Sequence, residues 1–164
     1  MDIRKGNLND IDSIMDVYAA GRQYMRENGN PTQWVDGYPQ KELILDDIDK
    51  GICYVVTEKD EICGVFAFIP GNDSTYDIIE KGAWKNNNPY ATIHRIASNG
   101  KTKGILKTAV EYCISQSDEL RIDTHHDNHT MQHLVTKYGF EKCGIIFLEN
   151  GDPRIAYQYT KKQT

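Results

Sequence analysis

The chain has 164 residues, with 19 Lys+Arg against 24 Asp+Glu, a formal net charge of -5 and a pI near 5.5. Hydrophobic residues make up 39% and charged residues 26%, a globular composition rather than a disordered or collagen-like one. The acidic balance excludes binding mainly through nucleic-acid phosphates, and the longest apolar run, Val65 to Ile69, is far short of the ~20 residues that span a bilayer.

This length suits one domain of ordinary size, so residues 1–164 are expected to fold as a single domain. Met1-Asp2-Ile3-Arg4-Lys5-Gly6 carries no apolar export signal, and a cytoplasmic protein is expected. Cys53, Cys63, Cys113 and Cys143 each lie in an apolar-periodic segment and form no C-x-x-C pair. They read as small reduced core residues.

Residues 2–5 predict a short strand. Asn9 with Asp12 has the spacing of a helix cap, and Ile11, Ile14, Met15, Tyr18 and Met25 recur at helical spacing up to the stop at Gly29-Asn30-Pro31. A polar, aromatic loop follows, Gln33-Trp34-Val35-Asp36-Gly37-Tyr38-Pro39. Leu43, Ile44 and Ile48 mark a second helix, ended by Gly51. Residues 52–57 and 62–69 predict an antiparallel strand pair around the turn Glu58-Lys59-Asp60-Glu61. Gly71-Asn72-Asp73-Ser74 and Lys85-Asn86-Asn87-Asn88-Pro89 read as loops, and Tyr76–Ile79 as strand or helix. Residues 90–97 predict a strand, Ile105 to Cys113 a helix and Leu120 to Thr124 a strand. Met131, Leu134, Val135 and Tyr138 stripe a further helix closed by Gly139, and two strands at 140–148 and 154–160 end the chain. The order predicts an α/β layered fold with a mixed sheet and a β-α-β unit at 90–124.

The stretch Ile93-His94-Arg95-Ile96-Ala97-Ser98-Asn99-Gly100-Lys101-Thr102-Lys103-Gly104-Ile105 runs from strand through a glycine-bearing loop into a helix start. Unpaired amides and the positive end of the dipole at such a start suit an anion, and a pyrophosphate fits them. Strict alternation places Thr92, His94 and Ile96 on one face of the strand, and Ile93, Arg95 and Ala97 on the other. His94 is the candidate base, because imidazole titrates close to neutrality. Arg95 is an ion-pair partner or an anchor for an anionic group of the substrate. Gln33, Trp34 and Tyr38 offer an aromatic wall with hydrogen-bonding ends.

Downstream, Asn128-x-x-Met131-x-x-Leu134 leads to Lys137-Tyr138-Gly139-Phe140 and Cys143-Gly144-Ile145-Ile146. Taken with the strand–loop–helix, this order resembles the GNAT superfamily of acetyl-CoA-dependent N-acetyltransferases over nearly the whole chain. The resemblance implies the acyl-CoA N-acyltransferase fold, with a mixed, mostly antiparallel twisted sheet and helices on both faces. It implies acetyl-CoA as co-substrate, held by the main chain of Ile96, Ala97 and Ser98 along the pantetheine. Amides of Lys101, Thr102, Lys103, Gly104, Ile105 and Leu106 would take the pyrophosphate, and Asn128 would lie beside the pantetheine arm. The family loop [Gln/Arg]-x-x-Gly-x-[Gly/Ala] is met here by Lys101, Gly104 and Leu106, two departures from the pattern. Where many members carry the tyrosine that protonates the leaving thiolate, this chain has Val135. Tyr138, nearly one turn later, is the candidate acid.

The expected activity is acetyl transfer to a primary amine of a small molecule or peptide, by direct attack in a ternary complex. Catalysis is assigned to His94 and Tyr138, acceptor binding to Gln33, Trp34, Tyr38 and Arg95. No metal, nucleic-acid or membrane partner is expected, and a homodimer is open. Two alternatives remain: a non-catalytic CoA-binding or regulatory module, and a metal-dependent hydrolase using His129 and His133, which share a helical face, with Asp123 or Asp127 as a third ligand.

Overall fold

A computed structural model describes residues 1–162. Seven strands are joined in one sheet: β1 (Asp2–Lys5), β2 (Cys53–Glu58), β3 (Glu61–Pro70), β4 (Ala91–Ser98), β5 (Glu119–Thr124), β6 (Glu141–Phe147) and β7 (Pro153–Thr160). Their order is β1-β2-β3-β4-β5-β7-β6, and every pairing is antiparallel except β4 with β5. Helices α1 (Ile11–Glu27), α2 (Lys41–Asp49), α3 (Ile105–Gln116) and α4 (His129–Lys137) lie in the connections. Among the described residues no helix is long and apolar enough to cross a membrane.

The two faces of the sheet bury different cores. Phe66, Ile93, Leu120, Ile122 and Tyr157 pack with Ile105, Ala109 and Cys113 of α3 and with Met131 and Val135 of α4. On the other face, Val55, Val65 and Ala97 meet Ile14, Val17 and Tyr18 of α1 and Ile44 of α2. Farther along that face the segment at 72–90 replaces a helix. Its Tyr76 and Tyr90 pack on Ile146 and Ala156. Arg121 of β5 pins this segment down, with its guanidinium 4.1 Å from the Trp84 ring centre and 4.0 Å from that of Tyr90.

Two glycines set the helix-to-sheet distances. A Cβ at Gly64 of β3 would lie 2.3 Å from Ile105 Cγ2, and one at Gly21 of α1 would lie 3.0 Å from Ala97 Cβ. Both helices therefore sit closer than side chains at those positions would allow. The four cysteines are free and buried, and burial pushes the Cys53 thiol up to about 12.

The periodic helices and strands lie where their patterns predict, with three differences. The helix cap is Asn7, not Asn9. Its side chain accepts from Asn9 N–H, and Asp10 reciprocates by accepting from Asn7 N–H, around a 3-10 turn at Leu8–Asp10. Tyr76 belongs to a 3-10 turn at Ser74–Tyr76, capped by Asp73. The alternation on β4 also fails. Val65 pairs with Ala97 but Ala67 pairs with His94, so Arg95 and Ile96 together oppose Phe66. This bulge puts Arg95 in the left-handed region, φ 50°. Ile96 consequently packs with Ile93 against the α3 face, and Arg95 turns to the α2 side.

Candidate active site

β4 and β5 are paired only at Ala91–Leu120 and Thr92–Arg121. Beyond Thr92 the two strands part. The β5-side edge of β4 is left without a ladder partner, and a cleft of about 750 Å³ opens between β4, β5, the loop after α1 and the β6–β7 turn. Gln33, Trp34, Tyr38, His94, Arg95, Ile96 and Asn128 all line it. The structure thus brings together residues that lie almost a hundred positions apart in sequence.

His94 is half-buried and paired with Asp73 across 2.8 Å, through Nε2 and Oδ2. Asp73 also accepts from the Thr75 amide at 2.9 Å and the Thr75 hydroxyl at 2.7 Å, and its own N–H donates to Tyr90 Oη. The His94 hydrogen bond is the first reason that this carboxyl lies well below the usual aspartate range, with the Thr75 donors adding to it. An ionised Asp73 accepts the Nε2 proton. In the neutral ring that leaves Nδ1 as the acceptor, and Nδ1 makes no hydrogen bond among the described residues.

Arg95 does not present a free cation. Its Nε and Nη2 donate to Asp47 Oδ2 and Oδ1, both at 2.9 Å, and Asp47 is 3% exposed at the side chain. Tyr18 Oη donates to the Arg95 carbonyl at 2.7 Å. Side chain and carbonyl are both occupied in holding the bulge, so Arg95 is a structural ion-pair partner rather than the substrate anchor.

Asn128 caps α4 by accepting from Met131 N–H, and its amide nitrogen donates to Gln33 Oε1 at 2.9 Å. Thr32 with His125 Nε2, at 3.0 Å, makes a second tie between the loop after α1 and the β5–α4 connection. Trp34 stands edge-on between Tyr18 and Tyr38, with ring centres 5.7 and 6.1 Å away.

The open amides at the start of α3 lie further along the chain than the expected set. Lys101 N–H already donates to Asn99 Oδ1, and Lys101 lines a separate cavity facing α1. The first helical bond is Thr108 N–H to the Gly104 carbonyl, so the amides of Ile105, Leu106 and Lys107 have no acceptor within the helix. Gly104 sits at φ 83° with only Met1 Cε, at 3.8 Å, near the position of a Cβ. The unpaired strand edge and these open amides lie at one end of the sheet. Together they fit an extended thiol arm ending in a pyrophosphate.

Tyr138 is not brought to the cleft. It follows α4, and its hydroxyl donates to Glu111 Oε1 of α3 at 2.6 Å, which pushes the phenol up to about 12. His129 and His133 are exposed on α4 and gather no third metal-ligating side chain among the described residues. Ligand atoms do converge at His125, His126 and Asp127. His125, however, uses Nδ1 to accept from Asp127 N–H and Nε2 to meet Thr32.

Two cleft residues, Asp73 and Arg154, carry no functional signal of their own in the sequence, and a third, Asp123, stands out there only as a possible metal ligand. Asp73 stands in the loop Gly71-Asn72-Asp73-Ser74, where its one local signal is the capping pattern Asp73-x-Thr75. Asp123 accepts from Tyr76 Oη at 2.6 Å, a contact 47 positions long. Arg154 is a lone charge ahead of the apolar Ile155-Ala156-Tyr157.

No family model and no curated protein matches the chain. Solved structures do. A GNAT-family acetyltransferase from Streptococcus agalactiae is 34% identical, with a TM-score of 0.90, and the match covers 99% of this chain and 96% of that one. A GNAT-family acetyltransferase from Listeria monocytogenes is 20% identical with a TM-score of 0.72, covering 97% and 94%. A ribosomal-protein-alanine N-acetyltransferase from Brucella melitensis is 16% identical with a TM-score of 0.65, covering 98% and 99%. The last two share the fold.

Proposed function

The chain belongs to the GNAT family of acetyltransferases, and on that premise we propose that it transfers the acetyl group of acetyl-CoA to the primary amine of a small molecule or peptide, by direct attack in a ternary complex. The observation that carries this reading is the parting of β4 from β5 beside the His94–Asp73 pair.

Acetyl-CoA supplies the acetyl group as an activated thioester, and this chain's residues do the rest. The free edge of β4 from Ile96 to Ser98 takes the pantetheine as an added strand. The amides of Ile105, Leu106 and Lys107, with the exposed Lys103, receive the pyrophosphate. The bulge at Arg95 and Ile96 takes backbone N–H groups off the ladder, where they can polarise the acetyl carbonyl. Trp34 and Tyr38 wall the acceptor side.

An ammonium cannot attack, so the acceptor first loses a proton. Nδ1 of His94 takes it, directly or through one water, while Asp73 fixes the ring. The nitrogen–carbon bond then forms, the carbon–sulfur bond breaks with its electron pair on sulfur, and the nitrogen's second proton passes through water to the released thiolate or to solvent. A thiol pKa near 8.5 lets the thiolate leave without a dedicated acid, consistent with Tyr138 lying outside the cleft.

The test is thiol release from acetyl-CoA across a panel of amines. Turnover is expected with at least one, and His94→Ala lowers kcat/KM by roughly 10²–10⁴ and removes a pH-dependent limb. Acetyl-CoA that neither binds by calorimetry nor is consumed overturns the reading. Binding without turnover would instead make the protein a CoA-binding module.

A further inference from the structure

The cleft contains a cation that its neighbours do not neutralise. Arg154, near the start of β7, is 5% exposed and lines the cleft. Its guanidinium donates to two carbonyl oxygens, Pro153 at 2.9 Å and Gln33 at 3.4 Å. It forms no ion pair among the described residues, whereas Arg95 is paired with Asp47 and His94 with Asp73. The charged and titratable groups around it are Asp123 of β5, Asp152 of the β6–β7 turn, His125 and Tyr38, and neither carboxylate closes to ion-pair distance. Burial outweighs their field and pulls the guanidinium below its ordinary range.

A buried cation is costly unless an anion meets it. Five N–H donors in a rigid fork match a carboxylate bidentately, and two carbonyls leave most of that capacity unused. Asp123 and Asp152 beside the guanidinium make an alternation of sign that suits a zwitterion, with its cationic end toward the two carboxylates. Thr124 of β5 lines the same cleft with a hydroxyl that is buried and unpartnered.

We propose that Arg154 anchors a carboxylate of the acceptor, so that the substrate class is an amine that also carries a carboxylate: an amino acid or a short peptide. This rests on the acetyl-transfer reading above and narrows its acceptor. It also moves the anion-binding role from Arg95, where the sequence pointed, to a residue 59 positions later.

The experiment compares α-amino acids, ω-amino acids and dipeptides, each with its own carboxamide, alongside simple alkylamines and polyamines. Thiol release from acetyl-CoA is followed with the wild type, Arg154→Gln and Arg154→Lys. The wild type is expected to favour a carboxylate over its carboxamide by roughly 10–100-fold in kcat/KM, the range of a hydrogen-bonded charge. Arg154→Gln should erase that ratio, its loss of rate being roughly 10–100-fold greater on the carboxylate than on the carboxamide. A merely structural arginine would lower both rates and leave the ratio. Should Arg154→Gln melt near assay temperature, Arg154→Lys, which keeps the charge but not the fork, should reduce the ratio without abolishing it. Alkylamines or carboxamides used as well as carboxylates by the wild type, or a ratio that survives both substitutions, overturn the anchor and leave acetyl transfer standing. No thiol release with any amine overturns the acetyl-transfer reading, and the anchor with it.

Discussion

His94 and Asp73 show how little of the proposed base is carried by either residue alone. The histidine is an ordinary strand residue until Asp73, 21 positions earlier, fixes which nitrogen holds the proton. Asp73 is itself fixed by Thr75 and by Tyr90. Its lowered pKa makes a signed prediction. A carboxyl depressed by folding stabilises the protein fully above its unfolded pKa of about 4, and that contribution is lost as pH falls through the folded value. Asp73→Asn should therefore lower the melting temperature at neutral pH, with the gap to wild type closing below about pH 4. The same variant should lose activity by roughly 10-fold or more, because the amide no longer dictates the ring tautomer. A gap that stays constant from neutral pH to pH 3, in parallel melting curves, would sink the assignment.

Elements matter here mainly through how closely they approach. α3 must bring its open amides to the edge of the sheet, and Gly64 permits this by having no Cβ where Ile105 packs. Gly64→Ala places a methyl 2.3 Å from Ile105 Cγ2. Overpacking of this kind costs about 1–3 kcal/mol, which is a fall of roughly 3–10 °C in Tm for a chain of this size. Because α3 must shift, KM for acetyl-CoA should rise more than KM for the acceptor. Steady-state kinetics with each substrate varied in turn would show it, and equal changes in both would mean that α3 does not set the cofactor end. The bulge on β4 is the counterpart in the strand. It is held at Arg95 by Asp47 from α2 and Tyr18 from α1, so two helices on one face determine the geometry of the site's central strand.

For the whole molecule the governing fact is a net charge of -5 on a protein that must hold a polyanion. Attraction has to be local, from helix dipole and nearby lysines rather than from the field of the entire surface. Lys103 and Lys107 are exposed at the start of α3. Lys103→Ala with Lys107→Ala is expected to raise the Kd of acetyl-CoA by roughly 2–5-fold per lysine and to flatten its dependence on salt, with kcat unchanged. Calorimetry between low and high ionic strength reads both effects. An unchanged salt slope would move the phosphate contacts elsewhere.

Apolar spacing in the sequence was enough for the order of elements, since each helix or strand must bury one periodic face. Motif order was enough for the family resemblance, and His94, Gln33, Trp34, Tyr38 and Asn128 did prove to share a cleft. Tertiary structure alone decided the rest. A one-residue bulge, invisible to a two-residue period, moved Arg95 to Asp47 and Ile96 to the α3 face. Tyr138 turned to Glu111 because its place at the end of α4 faces α3 rather than the cleft. Asp73, Asp123 and Arg154 reach the cleft through contacts between segments far apart in the chain, and no local pattern encodes such a distance. Local periodicity determines which face of each element is buried, while charge pairing in the cleft depends on which elements the sheet order makes neighbours.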